Sequence, residues 1–171
     1  YTVLYLSLKR RWTDVWASDE LKAYIGIVAV LTMIITAKVY LGAEVENFEE
    51  AFRDSLFQVV SLITTTGFVS ADYSQWATSA QLMIFVLLFL GACAGSTSGG
   101  IKLIRHLVFF KNSFLEFKRI IHPSAIVPLR VNQEIVPGKI ITHVFNFLLL
   151  YLALFVTGSV ILAMMGLDFM T

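Results

Sequence analysis

Two stretches of this 171-residue chain carry residue types at odds with their apolar surroundings. The first is Thr64-Thr65-Thr66-Gly67-Phe68, near the end of the uncharged segment Ser55–Ala71. Three β-branched residues in a row disfavour continuing a helix, and Gly67 can take dihedrals closed to other residues. These features fit a hairpin tip whose backbone carbonyls point at a ligand, and they equally fit a helix end with a surface turn. The second is Gly91-Ala92-Cys93-Ala94-Gly95-Ser96-Thr97-Ser98-Gly99-Gly100, in which four glycines accompany three consecutive hydroxyl residues. Glycine inside a helix costs about 1 kcal/mol relative to alanine, and Ser and Thr offer local bonds that compete with the helix ladder. A broken helix is expected here. Its glycine spacing, Gly91-x-x-x-Gly95 and Gly95-x-x-x-Gly99, would serve close helix packing. A phosphate-binding loop is disfavoured, because Ile101 separates Gly100 from Lys102 and no parallel-sheet pattern precedes it. A flexible polar plug lining a pore accounts for both the glycines and the hydroxyls, since such a segment needs a cavity or protein partners rather than lipid.

Other chemistry is poorly represented. His106, His122 and His143 lie too far apart in sequence for a short metal motif; the first two read as interfacial and the third as near a helix start. The single cysteine, Cys93, excludes a disulfide-framed domain, and no Ser/His/Asp or Cys/His arrangement emerges by spacing. A net charge of +1 gives no general case for a nucleic-acid partner.

The elements that must position the two stretches are set by hydrophobicity. The chain is 57% hydrophobic and 15% charged, against about 25% charged in soluble domains, so lipid is the solvent for much of it. Three stretches, Ala23–Ala43 interrupted by Lys38, Tyr73–Ile101 and Ile140–Leu167, are each long enough to cross about 30 Å of hydrocarbon as a helix. Lys38 can snorkel to the headgroups from its place near a span end. Trp12, Trp16 and Trp76 read as interface anchors.

Charge supplies the topology. Lys9, Arg10 and Arg11 precede the first span, and Lys102, Arg105, Lys111, Lys118, Arg119, Arg130 and Lys139 lie between the second and third. Glu44, Glu46, Glu49, Glu50, Asp54 and Asp72 gather between the first two. The basic regions face the cytoplasm and the acidic cluster faces outward. A further full crossing at Ser55–Ala71 would put the two basic regions on opposite sides. A re-entrant hairpin, entering from the outer face as a short helix and returning as extended chain, preserves the topology. Ile101–Leu115 then reads as a helix emerging at the cytoplasmic surface. The region from His122-Pro123 to Pro137-Gly138 is a turn-rich connector with a short extended element at Val127–Val131.

The two motifs, taken with Ile101-Lys102, resemble the TrkH/KtrB group of bacterial potassium-uptake proteins. That resemblance implies an all-α polytopic inner-membrane protein built from four helix, re-entrant pore-loop, helix repeats, with a potassium-channel-like pore. Residues 1–20 would be a cytoplasmic segment, 21–120 a third-type repeat, 121–139 a cytoplasmic connector, and 140–171 the first helix of the next repeat. The chain would thus be a piece of a larger pore domain. Resemblance gives Thr65, Thr66, Gly67 and Phe68 the role of filter, their carbonyls replacing the hydration shell of K+, with Thr64 at the inner edge. The side chains depart from the TVGYG form of tetrameric potassium channels.

By the same resemblance Gly91–Gly100 is a gating loop beneath the filter. Gly91, Gly95, Gly99 and Gly100 bracket Ser96, Thr97 and Ser98, whose hydroxyls would satisfy exposed backbone or water. Implied partners are the remaining repeats, a homodimer mate, membrane lipid, and a cytosolic nucleotide-binding regulatory subunit of the TrkA/KtrA type. K+ is the implied cargo, with no organic cofactor in the chain. A polytopic membrane enzyme with a site at Ser96-Thr97-Ser98, and a structural helix-packing subunit, remain the competing readings of the residues themselves.

Overall fold

The computed structural model describes residues 18–42, 45, 47–121, 128–132 and 134–166. The basic residues Lys9, Arg10 and Arg11, together with Trp12, Trp16, Glu44, Glu46, His122 and Pro123, lie outside them, as do residues 167–171. The chain divides into two compact units between Leu107 and Val108.

The first unit opens with α1, Asp19–Leu41. It starts ahead of the apolar run because the Ser18 hydroxyl accepts from the Leu21 N–H, while Asp19 and Glu20 complement the positive end of the helix. Lys38 lies exposed in its last turn, where a cation suits the helix dipole. The second helix, α2, is Phe48–Ile63. It was expected to begin within the uncharged segment, yet it takes in Glu49, Glu50, Arg53 and Asp54. Acids are favoured in a first helical turn, so the acidic cluster extends the helix instead of preceding it. At 16 residues α2 runs about 24 Å, less than a full crossing.

The stretch Tyr73–Ile101 does not form one span. A 3-10 turn at Tyr73–Gln75 leads to α3, Thr78–Leu87, and helix resumes only with α4, Leu103–Ile121. The interruption begins before Gly91, because Leu88 already closes the helix and the chain turns back to pair Leu90 with Ile101. Ile35 and Val39 of α1, Ala51, Val59 and Ile63 of α2, and Ala80, Ile84 and Leu87 of α3 form one buried cluster. Trp76 joins that cluster at 6% exposure, which corrects its reading as an interface anchor. Helices α1 and α2 pack against one another, and each buries small side chains, Thr32 and Thr36 on α1 and Ala51 and Ser55 on α2, which permit close approach.

In the second unit the remainder of α4 precedes a two-stranded antiparallel hairpin, β1 Arg130–Val131 with β2 Glu134–Ile135, turning through Asn132 at φ 52°. The helix α5, Gly138–Met164, follows from Pro137 as its N-cap. Helices α1 and α5 are the two among the described residues long and apolar enough to cross a membrane. On α5 only Val144 is buried, and its Thr142, Thr157 and Ser159 hydroxyls donate to carbonyls four residues back, so the helix presents lipid-compatible surface.

Candidate functional site

The α2 helix ends at Thr64, and the chain beyond it reverses hand residue by residue. Thr64 is right-handed at φ −80°, Thr65 left-handed at φ 55°, and Gly67 left-handed at φ 76°. Glycine meets that dihedral freely. Thr65 does not, because a β-branched residue in the left-handed region is a strained outlier. The amide groups are turned back into the helix end. Thr64 donates to Val60 (3.0 Å), Thr65 to Leu62 (3.0 Å), and both Thr66 (2.9 Å) and Gly67 (3.5 Å) to the Ser61 carbonyl.

Among the described residues, none of the hydrogen bonds ends on the carbonyls of Thr64, Thr65, Thr66 or Gly67. The Phe68 carbonyl accepts from the Ser61 hydroxyl at 2.7 Å. Ser61 therefore fastens both limbs of the turn, a role its place within an uncharged run did not reveal. The Thr64 hydroxyl binds Val60 O at 2.7 Å and lies 2.6 Å from the Thr66 hydroxyl. Residues 65–70 are exposed on this chain. The turn thus presents unpaired carbonyls at the C-terminal end of a short helix, which carries about −0.5 of an elementary charge. Both features favour a cation.

On the far side, Ser70 donates to Asp54 at 3.3 Å, and Asp72 accepts from the Ser74 hydroxyl and amide and from Gln75. These hydrogen bonds, the Ser74 hydroxyl first, hold the Asp72 carboxyl below the usual carboxylate range.

The glycine-rich stretch is a loop pinched at its base. Gly91 donates to Ile101 O (2.9 Å), Ile101 to Phe89 O (3.3 Å) and Leu103 to Ala92 O (3.3 Å). A Cβ at Gly91 would stand 2.7 Å from the Gly99 carbonyl oxygen, so only glycine permits this closure. Gly95 and Gly100 have positive φ, at 81° and 67°.

Within the loop the Ser98 hydroxyl accepts from the Ala92 amide (3.1 Å) and lies 2.8 Å from the Ser96 hydroxyl, while Thr97 is exposed. Lys102, counted by sequence with the cytoplasmic basic face, turns into the loop instead. Its ammonium reaches the Ser96 and Ser98 carbonyls and hydroxyls at 2.6–3.3 Å. Two longer-range bonds fix the loop's surroundings. The Gly99 amide donates to the Thr65 hydroxyl at 3.0 Å, joining the loop to the carbonyl turn, and the Ala94 amide donates to Glu20 of α1.

His106 lies 3.2 Å from Phe89 O, and His143 is exposed on α5. Among the described residues, no cluster of three or more His, Cys, Asp or Glu side chains is placed to hold a metal ion.

A half-length helix, a turn of open carbonyls and a broken helix after it define a pore-loop protein of the membrane. Residues 15–171 match the family model described as TrkH, cation transport protein, and the chain belongs to that family. Trk system potassium uptake protein TrkH of Halomonas elongata is 34% identical over 95% of this chain and 34% of its own length. The protein of the same name from Escherichia coli is 31% identical over 95% of this chain and 33% of its own. The crystal structure of the potassium transporter TrkH from Vibrio parahaemolyticus superposes with a TM-score of 0.83 at 31% identity, covering 90% of this chain and 33% of that one.

The chain spans about a third of the length of these curated relatives. The resemblance carried by the two motifs therefore extends across the chain. Family membership makes this a segment of a multi-pass protein of the bacterial inner membrane and sets aside the membrane-enzyme reading.

Proposed function

We propose that this chain contributes part of the wall of a cation-selective pore in a potassium-uptake protein, with K+ as the transported ion. The observation that carries the proposal is the turn at residues 64–67. Its alternating backbone hand spends the amides on the α2 helix end and leaves four consecutive carbonyls open. Rings of such carbonyls replace the hydration shell of a permeating ion. Thr64, Thr65, Thr66 and Gly67 then face the ion, and the Ser61 bond holds Phe68 at the rim.

The segment from about residue 21 to 120 is one helix, pore-loop, helix repeat, and α5 opens the next. The remaining repeats of the parent chain complete the filter. The loop Gly91–Gly100 lies within hydrogen-bonding reach of the filter turn and acts as the gate beneath it. A homodimeric assembly and a cytosolic TrkA/KtrA-type subunit, whose nucleotide state biases the gate from the basic 102–139 side, complete the proposal. The relatives' name, potassium uptake protein, supports the choice of ion.

Flux through the full-length parent protein in proteoliposomes tests it, comparing wild type with Gly67→Val. A β-branched residue cannot hold φ 76° without strain, so K+ flux falls or loses its preference over Na+. A folded mutant with unchanged flux and preference would contradict the assignment.

A further inference from the structure

Lys102 joins the hydrogen-bonded base of the glycine-rich loop to its tip. The base is fixed by three backbone hydrogen bonds, from Gly91 to Ile101, Ile101 to Phe89 and Leu103 to Ala92, which tie it to the end of α3 and the start of α4. Lys102 belongs to that base, one residue past the Leu90–Ile101 bridge. Its ammonium reaches over to residues 96 and 98, placing Ser96 O at 2.7 Å, Ser98 O at 2.6 Å, and their hydroxyls at 3.1 and 3.3 Å. Any swing of residues 93–99 about a fixed base must break these contacts.

We propose that Lys102 is a brace that holds the gating loop in its obstructing position, a positioning residue acting through the loop and not on the ion directly. The proposal rests on the gating reading above. An ammonium in low-dielectric surroundings requires oxygen partners, and non-helical carbonyls at membrane depth require donors. Each meets the other's need here. A charge-assisted contact of this kind is stronger than the neutral bond between the Ala92 amide and the Ser98 hydroxyl, which also spans base and tip. The fastenings to Thr65 and Glu20 are single hydrogen bonds and hold the loop from outside, whereas Lys102 fixes its shape from within. Opening then consists of the ammonium exchanging loop oxygens for water or another acceptor as the tip moves away.

The test is basal rubidium uptake by proteoliposomes of the full-length parent protein, with four chains compared: wild type, Lys102→Met, Lys102→Arg, and a chain lacking residues 94–98. Lys102→Met raises basal uptake about ten-fold, the scale set by losing one charge-assisted hydrogen bond. Lys102→Arg, which keeps the charge and donors, restores closure, and the K+ to Na+ ratio is the same in all three full-length loops. Should Lys102→Met fold poorly, Ser96→Ala removes one hydroxyl of the cage while leaving the Ala92–Ser98 bond, and gives a smaller rise.

If the shortened loop leaks while Lys102→Met and Ser96→Ala stay as closed as wild type, the brace is overturned and the gate stands. If the shortened loop does not leak, the gating reading falls and the brace with it. An equal leak in Lys102→Met and Lys102→Arg would also overturn the brace.

Discussion

Thr65 and Gly67 hold the same left-handed conformation at unequal cost, and the difference bears on function. Gly67 does so freely, while Thr65 is retained at a strained dihedral and uses its hydroxyl to accept from the Gly99 amide. That hydroxyl contact was not readable from sequence, because residues 65 and 99 are joined only by the folded path of the chain.

Gly91 was read as one of four glycines loosening a helix, but its necessity is steric. In Gly91→Ala the new methyl meets the Gly99 and Ile101 carbonyl oxygens at 2.7 and 3.0 Å, both on backbone that cannot rotate away. The expected outcome is a loss of about 1–3 kcal/mol in thermal unfolding of the parent protein, with raised basal flux.

Asp72 makes a pH prediction at the same scale. Its carboxyl is held below the usual carboxylate range by hydrogen bonds, so the turn's stabilisation is complete above that range and is lost as pH falls through the lowered folded value. In the full-length parent protein carrying Trp76 as its one tryptophan, Trp76 emission should hold steady through the neutral range and shift only as pH falls below the ordinary carboxylate range. Asp72→Asn should remove that acid transition.

Among the elements, the order of span, short helix, turn and broken span was legible, because hydrophobic run lengths and the sign of flanking charge constrain it. Boundaries were less so. The α2 helix starts in the acidic cluster, since carboxylates that look like loop composition also stabilise a helix N-terminus. Trp76 belongs to the core, because α3 is short and leaves its preceding turn packed against α1 and α2.

The loop's brace escaped notice for a related reason. Lys102 heads a basic amphipathic helix, and composition cannot tell a lysine facing the cytosol from one turned back on its own loop. The α1–α2 contact carries the test at this scale. Ala51 is fully buried in the cluster it shares with Ile35 and Val39 of α1, so Ala51→Leu should force the helices apart and lower stability by about 1–3 kcal/mol, read as a fall in unfolding temperature in detergent. An Ala51→Leu protein as stable as wild type would mean that the two helices do not pack through this seam.

At the scale of the whole molecule, the proposed pore makes this chain one part of a larger wall. The chain covers about a third of its curated relatives, and its turn of open carbonyls is exposed along residues 65–70. That exposure is intelligible once further repeats enclose the same axis, because unpaired carbonyls at membrane depth require either protein or a water-filled path. In the proposed pore, selection and obstruction are adjacent. The turn at residues 64–67 and the glycine-rich loop share one hydrogen bond, from the Gly99 amide to the Thr65 hydroxyl.

The central claim is that the carbonyls of residues 64–67 bind the permeating cation. It is tested most directly by anomalous diffraction from crystals of the full-length parent protein grown with thallium in place of potassium. The account predicts an anomalous peak in direct contact with the carbonyl oxygens of Thr65, Thr66 and Gly67, weakened when potassium competes with thallium and not when sodium does. Ordered crystals in thallium with no peak at this turn, or with the peak elsewhere along the pore, would contradict it.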